Sequence, residues 1–182
     1  MIREAEPKDS NVIENLYKKL APHSKNIKVL PQRIEQIRND SNNFLFVYEE
    51  SGNVKGSIFM TFCLDPGYQF RPYTVLEYVI VNEDFRGNGI GEKLLKHVEE
   101  ISIARASTRI ILLSSATRIK AHKFFTKNGY NGTISKGFKK YIPIIYKCFF
   151  LECSFMILDQ KRISFNDRST NFTDVTPVSG CN

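Results

Sequence analysis

Val79-Ile80-Val81-Asn82-Glu83-Asp84-Phe85-Arg86-Gly87-Asn88-Gly89-Ile90-Gly91 joins a run of β-branched apolar residues to a glycine-rich turn that opens a helix. Val and Ile fit the pleated surface of a strand. Glycines 87, 89 and 91 place no side chain between the backbone and a ligand. At a helix start the unpaired N–H groups point outward at the positive end of the macrodipole. The turn therefore reads as a cradle for an anion of the pyrophosphate kind, and Arg86 adds positive charge beside it.

Spacing excludes two other phosphate-binding loops. A dinucleotide-binding G-x-G-x-x-G requires glycine at position 92, where Glu92 stands, and no acidic residue lies about 20 residues further on to hold a ribose. A G-x-x-x-x-G-K-[ST] loop requires glycine five places after Gly87, again at Glu92. The pattern that remains is [QR]-x-x-G-x-[GA], met by Arg86, Gly89 and Gly91. Downstream, Ala121-His122-Lys123-Phe124-Phe125-Thr126-Lys127-Asn128-Gly129-Tyr130 resembles A-x-x-F-Y-x-x-x-G-[FY]. In this order and at this distance the two segments resemble the acyl-CoA motif and following helix of the GNAT acetyltransferase superfamily. The resemblance covers the chain as far as Ile142.

The resemblance implies an α/β (α+β) GNAT acyl-CoA N-acyltransferase fold, a mixed and mostly antiparallel sheet flanked by helices. It also implies acetyl transfer from acetyl-CoA to an amine, with no metal. In that family the strand before the glycine turn splays from its neighbour and its free backbone groups meet pantetheine. Val79, Ile80 and Val81 match that strand, and one of their N–H groups is the candidate oxyanion donor. The implied cofactor-binding set continues with Arg86, Gly87, Asn88, Gly89, Ile90, Gly91 and Glu92, then Arg118 and Phe124. Glu77 matches the position of a glutamate general base, for which burial would be useful. The tyrosine that commonly protonates the leaving thiolate is replaced by Phe125, which leaves Tyr78, Tyr130 or Tyr141 as substitutes, with Tyr130 the first choice. Thiols are only weakly basic, with an ordinary pKa of about 8.5, so a thiolate can also leave unassisted.

The segments around Arg118 to Phe124 and Lys136 to Tyr141 are similar to small bacterial GNAT proteins that acetylate small amines, aminoalkylphosphonate acetyltransferases among them. A small-molecule amine is the expected acceptor. Acetylation of protein lysines or N-termini, and non-catalytic acyl-CoA binding, are the alternatives.

Composition is consistent with one domain and an appendage. The 182 residues are 42% hydrophobic, enough for one sizeable core. The formal net charge of +7 suits an anionic partner. CoA is itself a polyanion, and the basic residues are scattered rather than interleaved with aromatics, so nucleic acid is not expected. Cys63, Cys148, Cys153 and Cys181 form no C-x-x-C pair and have no histidine at zinc-ligand spacing. The polar N-terminus and the thiols lead to an expectation of a cytoplasmic protein without a signal peptide.

Along the chain, the pattern predicts a strand over 2–5 and a helix after Pro7-Lys8-Asp9-Ser10 with its stripe at Val12, Ile13, Leu16, Tyr17 and Leu20. It continues with a helix over 33–38 and a hairpin of strands 44–48 and 54–62 around Ser51-Gly52-Asn53. Further strands follow at 74–81 and 110–113, with helices at 90–104 and 118–128. The run Ile110 to Leu113 reads as a central strand covered on both faces, and two last strands are expected over 131–134 and 138–142. His97 is placed on the outer side of its helix, and His122 as a packing residue.

The GNAT domain is taken as residues 1–142. Residues 143–182 form an extension, an added strand or the contact of a homodimer, with a disordered end from Val175. Its apolar run from Ile144 to Leu158 is shorter than the roughly 20 residues of a membrane span and is interrupted by Lys147 and Glu152, so no membrane association is expected.

Overall fold

The structure, a computed structural model, describes residues 1–142. The chain divides into a first unit, Met1–Lys139, and a second, Lys140–Asn182. The extension expected from residue 143, with its apolar run and its end from Val175, lies outside the described residues.

In the first unit β1 (Ile2–Glu4) leads through a 3-10 turn at Pro7–Asp9 into α1 (Ser10–Leu20) and α2 (Pro31–Arg38). The Asp9 carboxylate does not cap α1. It accepts the Glu6 N–H at 2.8 Å and two N–H groups of Arg3 at 2.7 and 3.1 Å, which ties the turn to β1. β2 (Asn43–Glu50) and β3 (Asn53–Cys63) follow as a hairpin whose connecting residues Ser51 and Gly52 have φ of +51° and +76°. Positive φ at both positions matches the right-handed twist of paired strands. β4 (Tyr73–Val81), α3 (Ile90–Ala104), β5 (Ile110–Leu112) and α4 (Ile119–Lys127) complete the described elements.

The sheet order is β1-β2-β3-β4-β5, antiparallel except for the parallel pair β4–β5. Alternation along the strands divides the core into two layers. On one face Ile13, Leu16 and Tyr17 of α1 and Ile34 of α2 pack on Leu45, Val47 and Ile80. On the other, Ile90, Leu94, Leu95 and Val98 of α3 pack with Phe125 of α4 on Phe46, Ile58, Met60 and Leu76. The predicted stripes of both long helices are thus the buried ones. Each fully buried Leu or Ile contributes about 1.5–3 kcal/mol of transfer free energy.

Three expectations are corrected. Among the described residues β5 is the last strand of the sheet rather than a central one, and Ile111 is 38% exposed. No strand forms over 131–134 or 138–142. At the first of these, Asn131 Oδ1 accepts the backbone N–H of Thr133 at 2.9 Å and its hydroxyl at 2.8 Å, a local turn that competes with a ladder. His97 is half-buried, edge-on to the Phe46 ring at 4.7 Å between centroids, and this burial pushes its pKa below the ordinary value. His122 Nε2 lies 2.9 Å from the Ser115 carbonyl oxygen and ties α4 to the loop before it.

Among the described residues no helix is long and apolar enough to cross a membrane.

Candidate functional site

The glycine turn earns its shape from two backbone conformations. Gly87 has φ +85° and Gly89 φ +72°, a region in which residues with a Cβ are strained; a Cβ at Gly87 would stand in open space, and one at Gly89 would meet only Glu92 Oε2, at 3.9 Å. Both glycines therefore serve the path of the chain rather than its packing. Gly89 caps α3 without any side-chain hydrogen bond, so no side chain satisfies the first N–H groups of a helix of 15 residues. Gly91 has a different reason. Its missing side chain makes room for the Phe124 ring, whose Cζ lies 2.9 Å from where a Cβ would be.

β4 is interrupted. It pairs with β3 as Glu77↔Phe59 and then Ile80↔Ser57, so three steps on β4 match two on β3. The extra residue is a β-bulge at Tyr78, whose φ is +51°. Beyond it, Asn82 N–H donates to Lys55 O at 2.8 Å. Alternation then aims the backbone groups of Ile80 at Ser57, and those of Val79 and Val81 away from β3.

On the far side β4 pairs with β5 only through Thr74, Val75 and Leu76, so the two strands part after Leu76 and Leu112. In the gap the Val81 carbonyl accepts Arg86 Nε at 3.2 Å. Val79 and Val81 are thus the strand residues with backbone turned to the opening. The N–H of Ile80 is withdrawn from the candidate donors, because it faces β3.

A cleft of about 810 Å³ runs along this opening. It brings together Val79, Ile80 and Val81 with Arg86, Gly87, Gly89, Ile90, Gly91 and Glu92, and adds Arg118 and Phe124 from the start and middle of α4. Asn88 does not line it. That residue faces a smaller hollow beside Lys55 and Lys93, and its Nδ2 donates to the Phe85 carbonyl at 3.3 Å.

Sequence reasoning missed Lys19 of α1 and Lys120 and Lys127 of α4, which also line the cleft. The seven-residue spacing of Lys120 and Lys127 on one helix face was the available signal. Lys127 Nζ lies 2.8 Å from Glu92 Oε1, and this partner raises the lysine pKa. Lys19 lies 3.3 Å from Glu83. Arg118 and Lys120 form no ion pair among the described residues, so the cleft keeps a net positive wall.

Glu77 sits before the bulge and is exposed, which corrects the expected burial. It lies outside the lining of the cleft, on the sheet face that carries α1. There it stands within electrostatic reach of the Tyr17 phenol, whose pKa is pushed up chiefly by burial, the Glu77 and Tyr78 groups adding to the shift. Tyr78 stacks on Tyr17 with centroids 4.2 Å apart. Ser57, on the same face, is fully buried, and its hydroxyl stands close enough to the Tyr17 phenol to oppose part of that shift.

Tyr130 packs edge-on behind Phe125, with centroids 6.0 Å apart, and does not line the cleft. Burial pushes its phenol up from the ordinary value, and the Glu99 carboxylate adds to that shift. Its hydroxyl is buried on the Glu99 side, away from the cleft. Phe125, which does line the cleft, carries no proton to give. Among the described residues no group of three His, Cys, Asp or Glu side chains could hold a metal ion.

A model of the Acetyltransferase (GNAT) family matches residues 11–130. No curated protein matches the chain significantly in sequence. Among solved structures the chain is similar to a protein of Agrobacterium tumefaciens str. C58 assigned to the acetyltransferases, at 22% identity and a TM-score of 0.71, over 78% of this chain and 99% of that one. It is similar to a transcriptional regulator from Bacillus halodurans C-125 at 25% identity and a TM-score of 0.70, with the same coverage of 78% and 99%. It is also similar to glucosamine-6-phosphate N-acetyltransferase from Arabidopsis thaliana, at 22% identity and a TM-score of 0.66, over 79% and 98% of the two chains. The mixed, mostly antiparallel sheet flanked by helices is the fold these proteins share.

Proposed function

Because the chain belongs to the acetyltransferase (GNAT) family, we propose that it transfers the acetyl group of acetyl-CoA to a primary amine of a small molecule, directly and within a ternary complex. The observation that carries this reading is the convergence in one cleft of two backbone surfaces not paired to a strand among the described residues: the left-handed glycine turn at 87–89 and the edge of β4 that β5 leaves after Leu76. A donor with a pyrophosphate and an amide-bearing arm suits both. The first offers N–H groups at a helix start, and the second offers backbone groups of a strand edge that β5 has left, the Val81 carbonyl excepted because it accepts Arg86 Nε.

The thioester supplies an activated acyl carbon and a leaving group that departs readily as a thiolate. In this chain Arg86, Arg118 and Lys120 hold negative charge at the cleft wall. The backbone of Val79 or Val81 donates to the oxygen that becomes negative when the amine attacks, a fixed dipole that needs no rearrangement. Glu77 accepts the proton of the incoming ammonium, directly or through a water. Its exposure leaves it accessible to an acceptor arriving from the α1 face while the donor occupies the α3 face. Tyr130 is left out of the catalytic set, because Phe125 stands between it and the cleft. The thiolate leaves without help from a protein acid, and the second proton, lost by the nitrogen as the amide forms, passes to the departing thiolate or to solvent.

An amine panel with acetyl-CoA, followed by thiol release, tests the reading. Turnover of a small amine is expected. Binding of acetyl-CoA without turnover of any small amine or peptide would reduce the protein to an acyl-CoA-binding module, and turnover of peptide alone would move the acceptor to proteins. Glu77→Gln keeps the shape of the side chain and is expected to lower turnover, with partial recovery at high pH where more amine is already neutral. Acetyl-CoA affinity should not change.

A further inference from the structure

The geometry points to an ammonium-recognition site formed by the exposed ring of Tyr78, backed by Tyr17, together with the Glu77 carboxylate, which makes the acceptor a cationic amine held by an aromatic ring as well as by charge. The inference rests on the acetyltransferase reading above, and names the chemistry by which its acceptor is selected.

Tyr78 carries the argument. It is an aromatic residue at φ +51°, a conformation that a bulky side chain rarely adopts. Such strain persists only where the surroundings over-determine it. Here two things do so: the bulge opposite Ser57–Phe59 and the stack on Tyr17 at 4.2 Å with an interplanar angle of 21°. The consequence is that an extra residue in β4 turns Tyr78 to the α1 face beside Glu77, where unbroken alternation would have sent it to the α3 core. The tyrosine is nevertheless 44% exposed. One face of the ring is taken by Tyr17, and the residue as a whole stays exposed on the α1 side of the sheet.

The neighbouring charge is of the right sign and is not already used. Lys and Arg outnumber Asp and Glu by 26 to 19, and Glu77 is one of the carboxylates that make no ion pair among the described residues. By contrast Glu14, Glu49, Glu50, Asp65, Glu83 and Glu92 are each paired with a Lys or Arg. An electron-rich ring beside a free carboxylate attracts an ammonium by two mechanisms that reinforce each other: the ring quadrupole and the Coulomb term. Ser57 and Tyr17, both buried and within interaction distance of each other, form the floor of the stack. Because Val79, the residue after Tyr78, lines the donor cleft, an amine held at Tyr78 approaches the acyl carbon across the bulge.

Choline and its uncharged isostere 3,3-dimethylbutan-1-ol separate cation recognition from size and from proton transfer, since neither has an ionisable amine. The test titrates each into the full chain in the absence of acetyl-CoA, with affinity read by calorimetry or NMR shift. Choline should bind about fivefold or more tightly than the isostere. Tyr78→Phe keeps the ring face and should keep that ratio. Tyr78→Asn removes the ring, tolerates the left-handed backbone, and should cut the ratio by half or more. A ratio near one in the unaltered protein, or a ratio in folded Tyr78→Asn equal to that of the unaltered protein, would overturn the inference. A separate acetyl-CoA titration of the unaltered protein reports on the acetyltransferase reading alone, so the two can fail independently.

Discussion

Phe124 of α4 occupies the space that a side chain on Gly91 of α3 would need, with its ring Cζ 2.9 Å and its Cε2 3.2 Å from the ideal Cβ position. The two motif segments are therefore in contact: the glycine turn ends where the second helix lays an aromatic ring on it. Phe124 also lines the donor cleft, so anything that moves the ring changes the room available there.

Gly91→Ala sets two effects against each other. Alanine gains up to about 1 kcal/mol over glycine inside a helix, whereas forcing a methyl against a ring costs about 1–3 kcal/mol. Stability in denaturant should change by no more than about 2 kcal/mol, while acetyl-CoA affinity falls as Phe124 is displaced into the cleft. Adding Phe124→Leu to Gly91→Ala should recover part of that affinity, a non-additivity that a double-mutant cycle measures. Additive losses would show that the contact is unimportant to binding.

Gly89 asks for a more careful variant than a β-branched residue. At φ +72° a valine adds backbone strain of about 1–2 kcal/mol before any ligand is considered, so lost binding by Gly89→Val would be ambiguous. Asparagine accepts the left-handed region and still fills the turn. Gly89→Asn should melt near the unaltered protein and bind acetyl-CoA at least tenfold more weakly, roughly 1.4 kcal/mol. Unchanged affinity in the folded variant would remove the glycine turn from the donor site.

Glu92 brings negative charge to the place where an anion is expected. Its Oε2 lies 3.9 Å from the ideal Cβ position of Gly89, and Lys127 holds its other oxygen at 2.8 Å. Glu92→Gln should tighten acetyl-CoA binding several-fold at low salt and less at high salt, because the repulsion is screened and Lys127 is released. Calorimetry at two ionic strengths checks both parts. Weaker binding would mean that the Glu92 carboxylate accepts a hydrogen bond from a donor group of the ligand.

Glu14 on α1 governs a pH dependence far from the cleft. Lys18, at 2.6 Å, and the backbone N–H of Val29, at 3.0 Å, hold its carboxylate down to about 2 from the ordinary 4.5. A depressed carboxylate contributes stability that is fully present above the unfolded value and is lost as pH falls through the folded one. Denaturation midpoints should therefore decline between pH 4.5 and 2, and Glu14→Gln should flatten that decline while lowering the midpoint at pH 7. An unaltered acid profile would assign the loss to other carboxylates, Asp9 with its Arg3 partner first.

The part of the fold legible in the chain was the part set by local chemistry. The glycine turn at 87–91, the start of α3 at Ile90 and the stripe of Leu94, Leu95 and Val98 depend on neighbours within a few residues, and the motif spacing carried them together. The cleft lining followed for the same reason, since the turn and the motif helix supply most of it. What tertiary structure decided depends on pairing between distant segments. Register against β3 places the bulge at Tyr78, turns Glu77 and Tyr78 to the α1 face and withdraws the Ile80 N–H from the site. The parting of β4 from β5 after Leu76 comes from the short length of β5, which an apolar run over 110–113 does not reveal. Tyr130 fits the motif by spacing, yet packing behind Phe125 buries its hydroxyl away from the cleft. A linear pattern orders residues along the chain, and only the competition of all contacts for space decides which of them face one another.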